Sequence, residues 1–453
     1  MTVASRVHHR SRLTWLISFA ITVASAIAAA NSFLGQAQQQ ITALDRGLAE
    51  LMLSHVHETL KQNYYDTAFR GINIDERYRN YVEQIKNAKS IQAAYRLIEA
   101  YLSGLDDSHT IFIPPPNSNR VTYGFRLKII GDQCFITDLR PGTDAAQKLR
   151  PGDQVVTLDG YTLNRQDLWQ LEYFLYRLPP RLTSDFTLRD RSGSVRQEKV
   201  TADIQERHAF KDLDFGLGLG RLEMEGWQHM VRSKSVEQGD VFFWKFASFE
   251  EGEGSISHML AQARKHKALV LDLRGNSGGL ESNLVFLLSN FFDHDVAIGR
   301  KIMRKEQKEL EAKSGGHGAF AGQLIVLVDS RSASAAELFA RIVQLEHRGS
   351  VVGDRSAGSV MSARFFPLKV GTNLVTPYGV EITVADLVMS DGKSLEKLGV
   401  TPDINLLPSA ADLAAGRDPV LARAAELVGA KMDAAAAGKM FPYEWPPTNL
   451  TSP

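Results

Sequence analysis

The chain has 453 residues, with 52 basic and 52 acidic side chains and therefore a formal net charge of zero. That balance excludes a general electrostatic pull toward nucleic acid or anionic membranes, and 44% hydrophobic with 23% charged residues excludes a disordered chain while allowing two or three folded domains. A single cysteine, Cys134, excludes an internal disulfide, and its apolar flanks predict a buried thiol on a strand.

Arg6, Arg10 and Arg12 precede an apolar stretch from Leu13 to Ala30 that ends Ala28-Ala29-Ala30-Asn31. A charged region, an apolar region and a small-residue site in that order read as a secretory signal. Residues 1–30 are accordingly expected to be a signal peptide, and the mature protein periplasmic or secreted. Left uncleaved, the same stretch is long enough to serve as a membrane anchor.

After a spacer rich in glutamine (Gln36 to Gln40), a helical region is expected within residues 31–118. Leu44, Leu48, Leu51, Met52, Val56 and Leu60 recur at spacings of three and four, and Tyr95, Leu97, Ile98, Tyr101 and Leu102 form a second stripe. His55 and His57 stand two apart, which on a helix turns them to different sides. No metal-ligand spacing occurs elsewhere, so neither metal nor cofactor is expected. The region ends in Leu105-Asp106-Asp107-Ser108-His109-Thr110, followed by the stiff Pro114-Pro115-Pro116. Read by itself, Asp-Ser-His is a turn with a surface histidine.

Residues 119–205 hold Tyr123-Gly124-Phe125-Arg126-Leu127 and Leu149-Arg150-Pro151-Gly152-Asp153-Gln154-Val155-Val156-Thr157-Leu158-Asp159-Gly160. The first resembles the carboxylate-binding loop of a PDZ domain, and the second its strand-turn-strand. The resemblance implies a small β-domain that adds a peptide as an extra strand, with Tyr123, Gly124, Phe125 and Arg126 as the peptide-binding residues. Partners would then be protein or peptide substrates held through their C-terminal tails. The alternative is a β-domain that only packs.

From 206 to 428 a mixed α/β core is expected, with Val241 to Phe246, Leu269 to Leu273 and Leu324 to Val328 as central strands. Gly216-Leu217-Gly218-Leu219-Gly220 does not complete a dinucleotide fingerprint and reads as a loop. Lys267-Ala268-Leu269-Val270-Leu271-Asp272-Leu273-Arg274-Gly275-Asn276-Ser277-Gly278-Gly279 is a buried-type strand running into a glycine turn, followed by an apolar helix from Leu284 to Phe292. Val326-Leu327-Val328-Asp329-Ser330-Arg331-Ser332-Ala333-Ser334-Ala335-Ala336-Glu337 is a second strand that runs into an amphipathic helix. A serine at that junction either caps the helix, with Glu337 closing a capping box, or presents its hydroxyl where free N–H groups favour a developing oxyanion. Asp418-Pro419 predicts the cap of a last helix through Leu427, and residues 429–453 read as a flexible tail.

The two strand-turn segments, followed by Gly399-Val400-Thr401-Pro402-Asp403, resemble the tail-specific, or C-terminal processing, serine peptidases and their tricorn-like relatives. The resemblance implies an α+β multidomain protein: N-terminal helices, a PDZ-like β-domain and a protease core of crotonase-like strand–helix layers. It implies Ser334 as nucleophile, with the amides of Ala335 and Gly278 as the oxyanion hole. The lysine base of the processing branch falls at Ser359, inside Ala357-Gly358-Ser359-Val360, and neither Lys369 nor Lys393 lies close enough to replace it. Ser108-His109 instead resembles the pair used by the tricorn-like branch, which implies His109 as base, Ser108 as its orienting serine and Glu396 as the acid, with Asp391 the alternative. Without a lysine, a catalytically silent scaffold stays open. Gly275-Asn276-Ser277-Gly278-Gly279 also fits a nucleophile elbow, with His317 and His347 as the candidate histidines for an esterase at Ser277, neither leaving room for the usual succession of βα units.

Overall fold

The computed structural model describes residues 41–115, 119–165, 173, 175, 182–206, 233–371 and 375–445. The expected signal peptide at 1–30, the glutamine spacer, the 216–220 glycines, Pro116 and the end of the tail lie outside them. The centre of the molecule is a six-stranded sheet in the order Lys234–Gln238, Val241–Lys245, Ala268–Asp272, Gln323–Val328, Ser350–Gly353, Ile404–Asn405. Only the first pairing is antiparallel. The parallel strands are apolar on both faces because both are covered. Trp244, Leu269, Leu271, Val326 and Val328 meet the helices Glu253–Ala263, Glu281–Ser289 and Ala335–Leu345. Phe243, Val270, Ile325 and Leu327 meet Pro419–Leu427 and Ala434–Gly438.

The predicted central strands are all present, and Asp418 caps Pro419–Leu427 by accepting from Leu421 N at 2.9 Å. The tail is less loose than its composition suggested. Asp433 caps a helix at Ala434–Gly438, and Met440 and Phe441 pack into the apolar layer beneath the sheet, which holds the segment in place. Tyr443 then stacks under the Arg126 guanidinium, 3.8 Å from the ring centroid.

A second, antiparallel sheet contains Ile111–Ile113, Thr376–Met389, Val296–Met303, Gln307–Ala312 and Ser362–Val370. The helices Ala43–Asn63, Ile74–Lys86 and Ile91–Ser103 pack on it through Tyr101, Phe112, Tyr378 and Val380. Their buried stripe corrects the sequence reading in part. Ala49, Met52, Leu53, Val56 and Leu60 face inward, while Leu44 is 72% and Leu51 43% exposed, because the helix axis lies over the sheet one residue away from the expected face. His57 is buried against Tyr101 and Asp75, and His55 bonds Tyr378. No group of side chains suited to a metal occurs among the described residues.

Between Ile111–Ile113 and Lys234–Gln238 the chain inserts a β-module with a six-stranded sheet, made of Phe125–Ile130, Gln133–Leu139, Gln154–Leu158, Tyr161–Thr162, Thr183–Arg189 and Val195–Thr201. Its entry strand Asn119–Thr122 pairs with its exit strand Asp203–Glu206, so the chain leaves the module beside where it entered. Cys134 is buried on one of its strands.

At the C-terminal ends of the parallel strands, Arg274 donates to Asp272 at 2.7 Å and Asp418 at 2.8 Å. Both carboxylates are largely buried and held below their ordinary range, chiefly by the Arg274 charge working against burial. Removing one partner of such a group strands the others. Arg274→Met is expected to lower stability by about 3–5 kcal/mol in urea unfolding, and adding Asp272→Asn to restore part of the loss.

Candidate active site

The strand Gln323–Val328 runs into Asp329, and six residues after Asp329 the helix Ala335–Leu345 begins. Ser334 sits at the junction with φ 52° and ψ −121°, a conformation that costs a non-glycine residue of order 1–3 kcal/mol. It is held there by its own amide, which donates to Ser359 O at 2.7 Å and to Glu337 Oε2 at 3.1 Å. The capping role and an exposed hydroxyl are thus compatible at this residue. Ala335, first in the helix, has no intrahelical acceptor for its N–H.

The glycine turn lies directly opposite. A Cβ placed on Gly278 would fall 2.6 Å from Ser334 Cβ, and φ there is +93°, so no other residue fits. The turn is fixed through Asn276, whose carbonyl accepts from Ala333 N at 2.9 Å and whose side chain accepts from Gly278 N at 2.8 Å. The Gly278 amide therefore already has an acceptor. Ser277 is exposed on the outer side of the turn, and neither His317 nor His347 hydrogen-bonds it.

His109 arrives from the other sheet. Asp107 accepts from the amides of His109 at 3.0 Å and Thr110 at 2.7 Å, and Ile111–Ile113 then pairs with Glu381, Val380 and Gly379. Ser108 Oγ lies 2.7 Å from His109 Nδ1 and donates to Glu396 Oε2 at 2.9 Å, while Ser108 N donates to Glu396 Oε1 at 3.0 Å. With its proton on the carboxylate, the serine oxygen accepts from Nδ1–H, which leaves Nε2 with a free lone pair. Glu396 Oε2 also accepts from Val360 N at 3.0 Å, next to the Ser359 carbonyl that holds Ser334. The four residues are thereby tied into one connected cluster. Asp391 is not part of it, since it pairs with Arg341 at 2.6 Å. No hydrogen bond joins His109 to Ser334 in this state.

The sequence profile of Peptidase family S41 matches residues 242–406. Residues 242–406 are a stretch of the Peptidase S41 type. The tail-specific protease of Haemophilus influenzae is 23% identical over 351 residues, which span 73% of this chain and 48% of that protein. The carboxy-terminal processing protease CtpB of Bacillus subtilis is 22% identical over 337 residues, 72% of this chain and 64% of that one. The chain thus spans about half to two thirds of the length of these relatives. Among solved structures, mature CPAF complexed with lactacystin superposes with a TM-score of 0.61 at 15% identity, covering 82% of this chain and 96% of that one. That likeness concerns the fold.

Within residues 242–406, Ser359 occupies the expected lysine position and contributes backbone only, its carbonyl to Ser334 and its amide to Glu337. Burial lowers the pKa of His109 below 6.5 and raises that of Glu396 above 4.5. In the module, Tyr123 and Phe125 are buried in its core, a Cβ on Gly124 would strike Thr143, and Arg126 pairs with Asp138 at 3.2 Å. Sequence reasoning missed Asn276, Asp107 and the extent of Glu337's role. The first and last lie inside the matched motifs, where an amide and a carboxylate beside glycines were the available signal.

Glu337 is fully buried and accepts from Ser334 N, Ser356 Oγ, Gly358 N and Ser359 N. Burial nevertheless pushes its pKa up to about 7, from 4.5. The folded state therefore binds this proton more tightly than the unfolded chain, a stabilisation complete below pH 4.5 and lost as pH rises through about 7. Comparing Glu337→Gln with the parent protein by urea unfolding across that window isolates the effect. The parent's stability is expected to fall relative to the variant's as pH rises, and a constant difference would contradict the assignment.

Proposed function

We propose that this protein is a serine peptidase that hydrolyses peptide bonds of protein or peptide substrates through an acyl-enzyme. The observation that carries the reading is the cluster Ser334, His109, Ser108 and Glu396, assembled from two sheets around a strained serine at a helix N-terminus. Ser334 Oγ attacks the carbonyl carbon as its proton passes to His109 Nε2, and the carbonyl becomes an oxyanion. The Ala335 amide faces that charge. Gly278 supplies the second donor by exchanging the neutral Asn276 oxygen for the charged one, the stronger acceptor. The C–N bond then breaks, with the proton returned from Nε2 to the leaving amine. Water repeats the sequence on the ester and frees Ser334. Ser108 and Glu396 hold the tautomer that keeps Nε2 basic and stabilise the imidazolium.

The same reading gives the 119–206 module the work of holding a substrate's C-terminal tail at the PDZ-like loop 123–126. It places the mature enzyme outside the cytoplasm, through the stretch at residues 1–30. Addition of a peptide strand along Phe125–Ile130 requires the core to release the carbonyls of Leu127 and Ile129, which now accept from Arg331 and Ser330.

Labelling with a fluorophosphonate probe and peptide mapping tests the nucleophile. The label is expected on Ser334, and Ser334→Ala or His109→Ala should each lower kcat by about 10⁴-fold or more in a folded protein. Hydrolysis that survives Ser334→Ala would end the proposal. Glu396→Gln should lower kcat by about 10²-fold. Because His109 must be neutral to act and its pKa lies below 6.5, kcat/KM should rise with pH along a limb centred below that value and then level off.

A further inference from the structure

Three consecutive residues of the turn that delivers Ser334 are held by one strand of the inserted module. Phe125–Ile130 pairs with Gln133–Leu139 on one side only. On its other edge, Ile129 O accepts from Ser330 Oγ at 2.6 Å and Leu127 O from an Arg331 guanidinium nitrogen at 2.8 Å. Lys128, between them, sends its ammonium 2.7 Å from Asp329 Oδ2. Side chains alternate along a strand, so Leu127 and Ile129 enter the module's core while Lys128 leaves it toward the protease.

Asp329 is 4% exposed. Its Oδ1 accepts from Gly275 N at 2.8 Å and from Arg331 N at 3.0 Å. One carboxylate therefore holds the first residue of the glycine turn and the nucleophile turn together, at a junction also bridged by Ser332 Oγ to Leu273 O at 2.8 Å. A buried carboxylate keeps such a position only while its charge is balanced. Lys245, the other ammonium nearby, is committed to Asp272 at 3.2 Å and to the Arg274 carbonyl. Lys128 is the cation in contact with Asp329.

We propose that Lys128 is a positioning residue for the reaction: through Asp329 it sets the spacing between the glycine turn and Ser334, so that the inserted module is a structural part of the active site. This rests on the peptidase reading for its effect on rate, but not for its effect on the two turns. Lys128 touches neither substrate nor Ser334, and its loss acts by displacement of groups whose placement matters at the ångström scale.

The test compares four variants of the full chain: Lys128→Met, which keeps length and removes charge; Lys128→Arg, which keeps charge; Asp329→Asn; and the Lys128→Met/Asp329→Asn pair. Casein hydrolysis gives kcat and KM, a fluorophosphonate gives the labelling rate of Ser334, and hydrogen exchange follows residues 273–280 and 329–336. Lys128→Met is expected to lower kcat and labelling by about 10- to 100-fold, with KM changed less than about twofold, and to speed exchange in both segments. Lys128→Arg should recover most of the rate, and the pair should lose no more than its worse single member. A kcat within about twofold of the parent, a loss confined to KM, multiplicative losses in the pair, or a loss that arginine does not repair would each overturn the proposal. If the parent neither hydrolyses nor labels, the peptidase reading fails. Exchange then still decides whether Lys128 holds the two turns, with unchanged protection counting against it.

Discussion

The Glu337 carboxylate is the constraint from which the geometry of the site unfolds. Four donors converge on it: the amides of Ser334, Gly358 and Ser359 and the Ser356 hydroxyl. A buried charge without such donors is prohibitive, and a serine in the left-handed region does not persist without restraint. Each solves the other's difficulty. The 356–359 loop is then packed by Gly358 against the backbone of Lys397 to Gly399, which places Glu396 beside Val360 and beneath Ser108. The path from Ser334 to Glu396 thus runs through backbone atoms of Ser359 and Val360.

The geometry also divides the cluster between two separate sheets. The glycine turn, the nucleophile turn and the 356–359 loop all hang from the C-terminal ends of parallel strands, where ligand sites of open α/β sheets gather. His109 comes from a separate antiparallel sheet, through a loop fixed by Asp107.

Much of this was legible because strands and glycines carry strong local signals. The runs at 268–273 and 323–328 are apolar on both faces, and the Ser334 helix shows its period plainly. The cap at Asp418-Pro419 was equally readable. The helical stripe at Leu44 and Leu51 misled, since periodicity gives a face only to within about one residue's rotation and the packing partner selects among neighbours. The tail misled for a different reason. Alanine-rich sequence has little hydrophobic pattern of its own, and only the underside of the sheet makes Ala434–Gly438 and Phe441 a surface to bury. Asp329 and Lys128 were invisible, because an ion pair between residues so distant in sequence has no local signature.

The short strand Ile111–Ile113 has its partner in Gly379 to Glu381, about 270 residues further along the chain, with the whole inserted module and most of the central sheet between them. Contacts that span so much chain form late, after the closure entropy of the intervening segments has been met. On a ribosome, the segment that carries the histidine emerges early and waits without a dock until the last third of the protein has been made. A nascent chain therefore carries Ser334 and His109 apart through most of synthesis, and the cluster assembles only when the outermost pairing closes.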